Sequence, residues 1–164
     1  METLSAIENS SLGIWVRESA SVWAYPTIIF LHSLGLSFLV GMNTVLDLRV
    51  LGFAPRLPLA PLERLFPVMW FGFWVNTLSG IALLVADART MAINPVFLVK
   101  MACIAAAVID LVLLKRLLFS PPWIEPWLPT KAKLLAATSL VLWAGAITAG
   151  RLTAYLGSAD GLGR

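Results

Sequence analysis

The sequence predicts an all-α fold, a four-helix transmembrane bundle preceded by a short N-terminal interfacial helix. Three observations predict it. The 164 residues are 59% hydrophobic and only 13% charged, against roughly 45–50% apolar content in soluble domains. Mean hydropathy is +0.86. Four apolar runs are nearly free of charge, and each is about as long as the roughly 20 residues that a spanning helix requires. The expected organisation is an interfacial segment over 1–18 and a transmembrane domain over 19–157, followed by a tail over 158–164. The spans are expected at about 22–46, 62–86, 95–119 and 131–156.

Residues 3–18 mix Leu4, Ile7, Leu12, Ile14 and Trp15 with Glu8, Arg17 and Glu18. That segment is too short and too polar to span, and suits a helix lying in the interface. It has no base before Arg17, unlike a cleaved signal peptide, so the first apolar run is expected to remain in the mature chain. The first span opens with Ser21 as N-cap and with Trp23 and Tyr25 at headgroup level. Pro26 is tolerated in its opening turn, and Asp47-Leu48-Arg49 closes it at the water boundary. A linker with Pro55, Pro58 and Pro61 leads to the second span, where Pro67 is expected to produce a kink and Asp87 and Arg89 mark the end. Asn94-Pro95 supplies an N-cap and a first helical position for the third span, and Lys115-Arg116 mark its far end. A second linker carries Pro121, Pro122, Pro126 and Pro129 with Trp123 and Trp127, and leads through Thr130 to the fourth span, with Gly157 as the expected C-terminal cap.

Arg49, Arg56, Arg64, Lys115, Arg116, Lys131 and Lys133 belong to the two longer loops and their flanks. The opposite side holds Arg17, Arg89, Arg151 and Arg164, apart from Lys100 within a helix. By the positive-inside rule the proline-rich loops are cytoplasmic and both termini lie outside. The net charge of +3 is dispersed over helix ends, so nucleic-acid binding has no support. Cys103 is the only cysteine, which excludes an intrachain disulfide. Nucleophile–base pairs, zinc spacings and phosphate-cradling loops are missing from the sequence, as is a long internal repeat.

Ionisable groups in hydrocarbon need a partner or a purpose, which singles out His32, Lys100, Asp110 and Arg151. At about 1.5 Å per residue, His32 lies roughly 12 Å, Lys100 roughly 8 Å and Arg151 roughly 9 Å inward from the outer ends of their spans. Helical phase puts Lys100, Cys103, Ala107 and Asp110 on one face of the third helix. The matching faces hold Tyr25, His32, Gly35, Leu39 and Asn43 on the first helix, and Gly72, Asn76, Ser79 and Leu83 on the second. Ala144, Thr148, Arg151 and Tyr155 form the expected inward face of the fourth. Two cations at one depth, short of acidic partners, point to an anionic ligand. A b-type heme would meet that need, with iron at His32 and its propionates at Arg151 and Lys100, near Tyr155. Simpler accounts stand beside it: Lys100 and Arg151 can snorkel to the interface, His32 can be a packing residue bonded to Asn76 or Tyr155, and Asp47, Arg49, Asn43, Asn76 and Asp110 can serve helix packing.

The segments His32-Ser33-Leu34-Gly35, Val40-Gly41, Asp47-Leu48-Arg49-Val50-Leu51-Gly52, Asn94-Pro95 through Lys100, and Gly150-Arg151-Leu152-Thr153-Ala154-Tyr155 give the chain a pattern similar to a group of uncharacterised small four-helix bacterial inner-membrane proteins, over roughly residues 20–156. More distantly, the chain resembles the copper-resistance-D family and the bacterial membrane protoporphyrinogen oxidases. The latter resemblance implies a heme-ligand role for His32 and an essential cation at Lys100. It also implies residence in the bacterial inner membrane, which puts both termini in the periplasm. With one histidine, a single chain offers His32 together with Lys100, with a methionine such as Met42 or Met101, or with an open position, whereas a homodimer offers two His32 side chains.

Three functions are therefore set side by side: heme binding linked to membrane redox or heme chemistry, an accessory or assembly subunit of a larger membrane complex, and transport of an ion or small solute through Asp110 and Lys100. The expected partners are the lipid bilayer and either a second copy or a larger membrane complex.

Overall fold

The computed structural model describes residues 2–119 and 128–161, with side chains as far as Thr153. Among the described residues there are helices and no strands. The elements are α1 (Glu2–Glu8), α2 (Ser11–Glu18), α3 (Tyr25–Leu51), a 3-10 turn (Ala60–Arg64), α4 (Leu65–Ala86), α5 (Ala88–Ile93), α6 (Pro95–Phe119) and α7 (Thr130–Gly161). Four stretches are long and apolar enough to cross a membrane: Tyr25–Leu51, Ala60–Ala86, Pro95–Phe119 and Thr130–Thr153.

The interfacial segment is two helices, not one. Ser10 interrupts the run and caps α2, its side chain accepting from the Gly13 amide at 3.3 Å. The pair docks against the end of α4: Arg17 donates to the Ala86 carbonyl at 3.3 Å and pairs with Glu8 at 3.3 Å and Glu18 at 3.0 Å. Arg17 thereby satisfies one of the carbonyls that the last turn of a helix leaves unpaired. Because it is partly exposed, Arg17→Ala is expected to lower global stability by less than about 1 kcal/mol. The same change should speed proteolytic cleavage around Asn9 and Ser10, as read by limited digestion and mass spectrometry.

The first span starts later and runs further than expected. Ser21 to Ala24 form a turn, with the Ala24 amide donating to the Ser21 carbonyl, and Ala24 takes the N-cap position expected of Ser21. At the other end α3 continues to Leu51 and closes on Gly52, whose φ of 97° is the left-handed conformation that glycine adopts at helix C-termini. Pro67 stands in the first turn of α4, which begins at Leu65 directly after the 3-10 turn, so its missing amide removes no intrahelical bond of α4. Asn94 caps α6 as expected, accepting from the Val96 amide at 2.9 Å, and α6 has the expected bounds of Pro95 and Phe119. Gly157 does not end the last helix, which continues to Gly161. Trp123, Trp127, Pro121, Pro122 and Pro126 lie outside the described residues, as do the side chain of Tyr155 and residues 162–164.

Close backbone packing joins α3 to α4, α6 to α7, and α3 to α7. The helix α7 touches both α3 and α6, and 33% of its span is buried against 17% for each of the others. Buried apolar side chains gather at the end of the bundle that carries the 52–59 loop: Leu46, Val50, Phe66, Met69, Leu114 and Ala132. At the opposite, terminal end the first half of α6 is open, with no buried residue over 95–106. The half of α6 near the 52–59 loop is thus the more closely packed of its two halves.

Candidate functional site

Two groups of polar side chains occupy the bundle, His32 in one and Asn43 in the other. Eleven residues separate these two along α3, or about 16 Å of helix.

The first group joins α3 to α4. His32 Nδ1 lies 3.0 Å from the Asn76 carbonyl and 3.2 Å from Ser79 Oγ. A carbonyl can only accept, so Nδ1 carries the ring hydrogen and donates it there. The lone pair is then on Nε2. Asn76 Nδ2 answers by donating to the His32 carbonyl at 2.7 Å, which makes the clasp reciprocal. Glycines allow the approach: a side chain on Gly80 would meet His32 Cε1 at 3.1 Å, and one on Gly35 would meet the Asn76 amide nitrogen at 2.6 Å. On the opposite wall the Lys100 stem lies 3.5 Å from where a Gly150 Cβ would stand. Lys100 therefore packs against α7, and His32 against α4.

Arg151 is not on the buried face of α7. It is exposed, as are Ala144 and Thr148, so the face expected to turn inward turns outward. The buried face is Ala132, Ala136, Ser139, Trp143, Ala146, Ala149 and Thr153. Alanines spaced three and four apart let α7 approach two neighbours at once, and that packing outweighs turning Arg151 inward, which can reach water from the end of its span.

The second group joins α3 to α7, with Asp110 on α6. Asn43 Nδ2 donates to Asp47 Oδ2 and to Ser139 Oγ, both at 2.7 Å. Asn43, Asp47 and Ser139 are fully buried and Asp110 nearly so. Asp47, expected at the water boundary, is buried within the bundle, with a further turn of α3 beyond it and Asn43 donating to it. Arg49 turns away and donates from Nε to the Leu57 carbonyl. Sequence reasoning missed Ser139 and Trp143. The signal was available in the small-residue spacing of Ala132, Ala136 and Ser139, which marks a close-packed helix face.

Four apolar helices with polar groups turned inward define a multi-pass integral membrane protein. The chain matches no known protein family, and no characterised protein or solved structure resembles it significantly.

Proposed function

We propose that this is a protein of the bacterial inner membrane, with both termini periplasmic, that binds a b-type heme through His32 in the terminal half of its bundle. The observation that carries the reading is the bond from His32 Nδ1 to the Asn76 carbonyl. Metal-bound imidazoles are oriented in this way, with the second ring nitrogen donating to a carbonyl or carboxylate and the first left free for the metal. Two further features support the reading: no residue over 95–106 of the adjoining α6 is buried, and Lys100 offers a cation for a propionate. Arg151, being exposed, has no part in the proposal. When bound, heme supplies one-electron redox chemistry. His32 would hold the iron, Asn76 and Ser79 would fix the ring's orientation, and Lys100 would balance charge. With one histidine in the chain, bis-imidazole ligation requires a second copy, and a homodimer is the partner this reading calls for.

The test is a reduced-minus-oxidised visible spectrum of protein purified in detergent after expression with added heme. A Soret band is expected, and His32→Ala should lose it while keeping helical circular dichroism. Wild-type protein without absorbance in the Soret region would sink the proposal. A band unchanged in His32→Ala would remove the ligand assignment.

A further inference from the structure

At the loop half of the bundle, α3, α6 and α7 bury polar atoms that have no hydrogen-bond partner, and the antiparallel register of α6 on α7, with Lys100 beside Gly150 and Cys103 beside Gly145, sets Asp110 at the level of Ser139. Asn43 spends both hydrogens of Nδ2 on Asp47 and Ser139. Its Oδ1 is left without a donor, as are Asp47 Oδ1 and Asp110 Oδ2, and the other buried side-chain atom in this condition is the Trp143 Nε1 donor. All four side chains are at most 5% exposed. Acceptors thus outnumber donors, and two of the acceptors are carboxylate oxygens on different helices.

Among the described residues neither Asp47 nor Asp110 has an ion-pair partner: the ion pairs there are those of Arg17 with Glu8 and Glu18. Of the basic residues at this end, Arg49 donates to the Leu57 carbonyl, Lys115 lies over the Phe66 ring at 5.0 Å, and Arg116, Lys131 and Lys133 are exposed. A buried ionised carboxylate without a countercharge costs several kcal/mol. Water can donate to lone oxygens but cannot neutralise them. An all-oxygen set of carboxylate, amide and hydroxyl is hard in character, and suits alkali and alkaline-earth ions over soft or transition metals.

We propose that Asn43 Oδ1, Asp47 Oδ1 and Asp110 Oδ2, with Ser139 Oγ beside them, form a binding site for a small hard cation of the Na⁺ class. The site bridges three helices, so its occupation ties α6 to the α3–α7 pair. It is independent of the heme reading, which concerns the other end of the bundle.

The experiment is thermal unfolding of the full chain in detergent, followed by circular dichroism, in sodium chloride against choline chloride at equal ionic strength. Sodium is expected to raise Tm saturably, and Asp110→Asn, which keeps the side chain's shape, should weaken the apparent affinity at least tenfold. Isothermal titration of the wild type with sodium chloride gives a second reading should the variant fail to fold. Equal stabilisation by choline, an undiminished sodium response in Asp110→Asn, or a Tm that follows pH and ignores the cation would each overturn the proposal. The last result would mean that protons neutralise the pair.

Discussion

Replacing Gly35 by leucine is expected to drive α3 and α4 apart, whereas the same replacement at Gly41 should leave stability unchanged within about 0.5 kcal/mol. A Cβ on Gly35 would stand 2.6 Å from the Asn76 amide nitrogen and 2.7 Å from the Gly72 carbonyl oxygen. The reciprocal position is as tight, with a Gly72 Cβ 2.7 Å from the Gly35 carbonyl oxygen. The obstructing atoms are backbone and cannot swing aside. Overpacking of a core usually costs about 1–3 kcal/mol, and a clash of two helix backbones belongs at or above the upper end of that range. Gly41 has nothing within 4 Å of its Cβ position and is exposed on the same helix, so it controls for the effect of leucine itself. Unfolding by heat or by sodium dodecyl sulfate should show a large loss for Gly35→Leu and none for Gly41→Leu. Equal behaviour of the two would refute the close helix crossing. The His32–Asn76 clasp lies on the same seam, so Gly35→Leu should also diminish any Soret absorbance.

The seam between α3 and α4 was legible in the sequence because its signals are local. Glycines and polar residues recur on one face of each helix, and period alone brings Gly35, Asn76 and Ser79 inward. The start of α6 was legible for the same reason: asparagine followed by proline both caps and begins a helix. Other features depend on competition between distant parts of the chain. The face of α7 is chosen by small residues fitting against two helices, and a rule that hides every charge from lipid picks Arg151 wrongly when that residue can reach water from its span's end. Asp47 reads as a boundary residue from its neighbour Arg49, and its burial depends on Ser139, almost a hundred residues away. That Pro67 falls in the first turn of α4, where proline removes no intrahelical bond, follows only once the helix start is known. The inner polar group was thus visible in part, as Asn43 and Asp110, but its assembly was not.

Phe66→Ala is expected to cost about 3–5 kcal/mol, the range for removing a buried phenylalanine, and to loosen the loop end of the bundle. Phe66 is 1% exposed and lies edge-to-face with Phe119, ring centroids 5.7 Å apart at 79°. Lys115 covers its face at 5.0 Å. Close backbone packing in the bundle does not include α4 with α6, so the two helices meet through side chains, this ring against Phe119 and Lys115 among them. Removing the ring leaves α6 held at that end by α7, by the 3-10 turn and by the remaining core side chains. Phe66→Leu retains most of the volume and should cost less than about 1.5 kcal/mol, and Lys115→Met should cost about 0.5–1 kcal/mol, the worth of an exposed cation over an aromatic face. Unfolding measurements on the three variants separate the terms: a loss below about 1 kcal/mol in Phe66→Ala would show that α4 and α6 are held together by something other than this ring. His32 lies toward the other end of α3, so heme absorbance per folded molecule should be the same in Phe66→Ala as in wild type. A variant that loosens one end while leaving the other spectroscopically intact would also establish that the two polar groups are structurally separate, which the assignment of a different ligand to each requires.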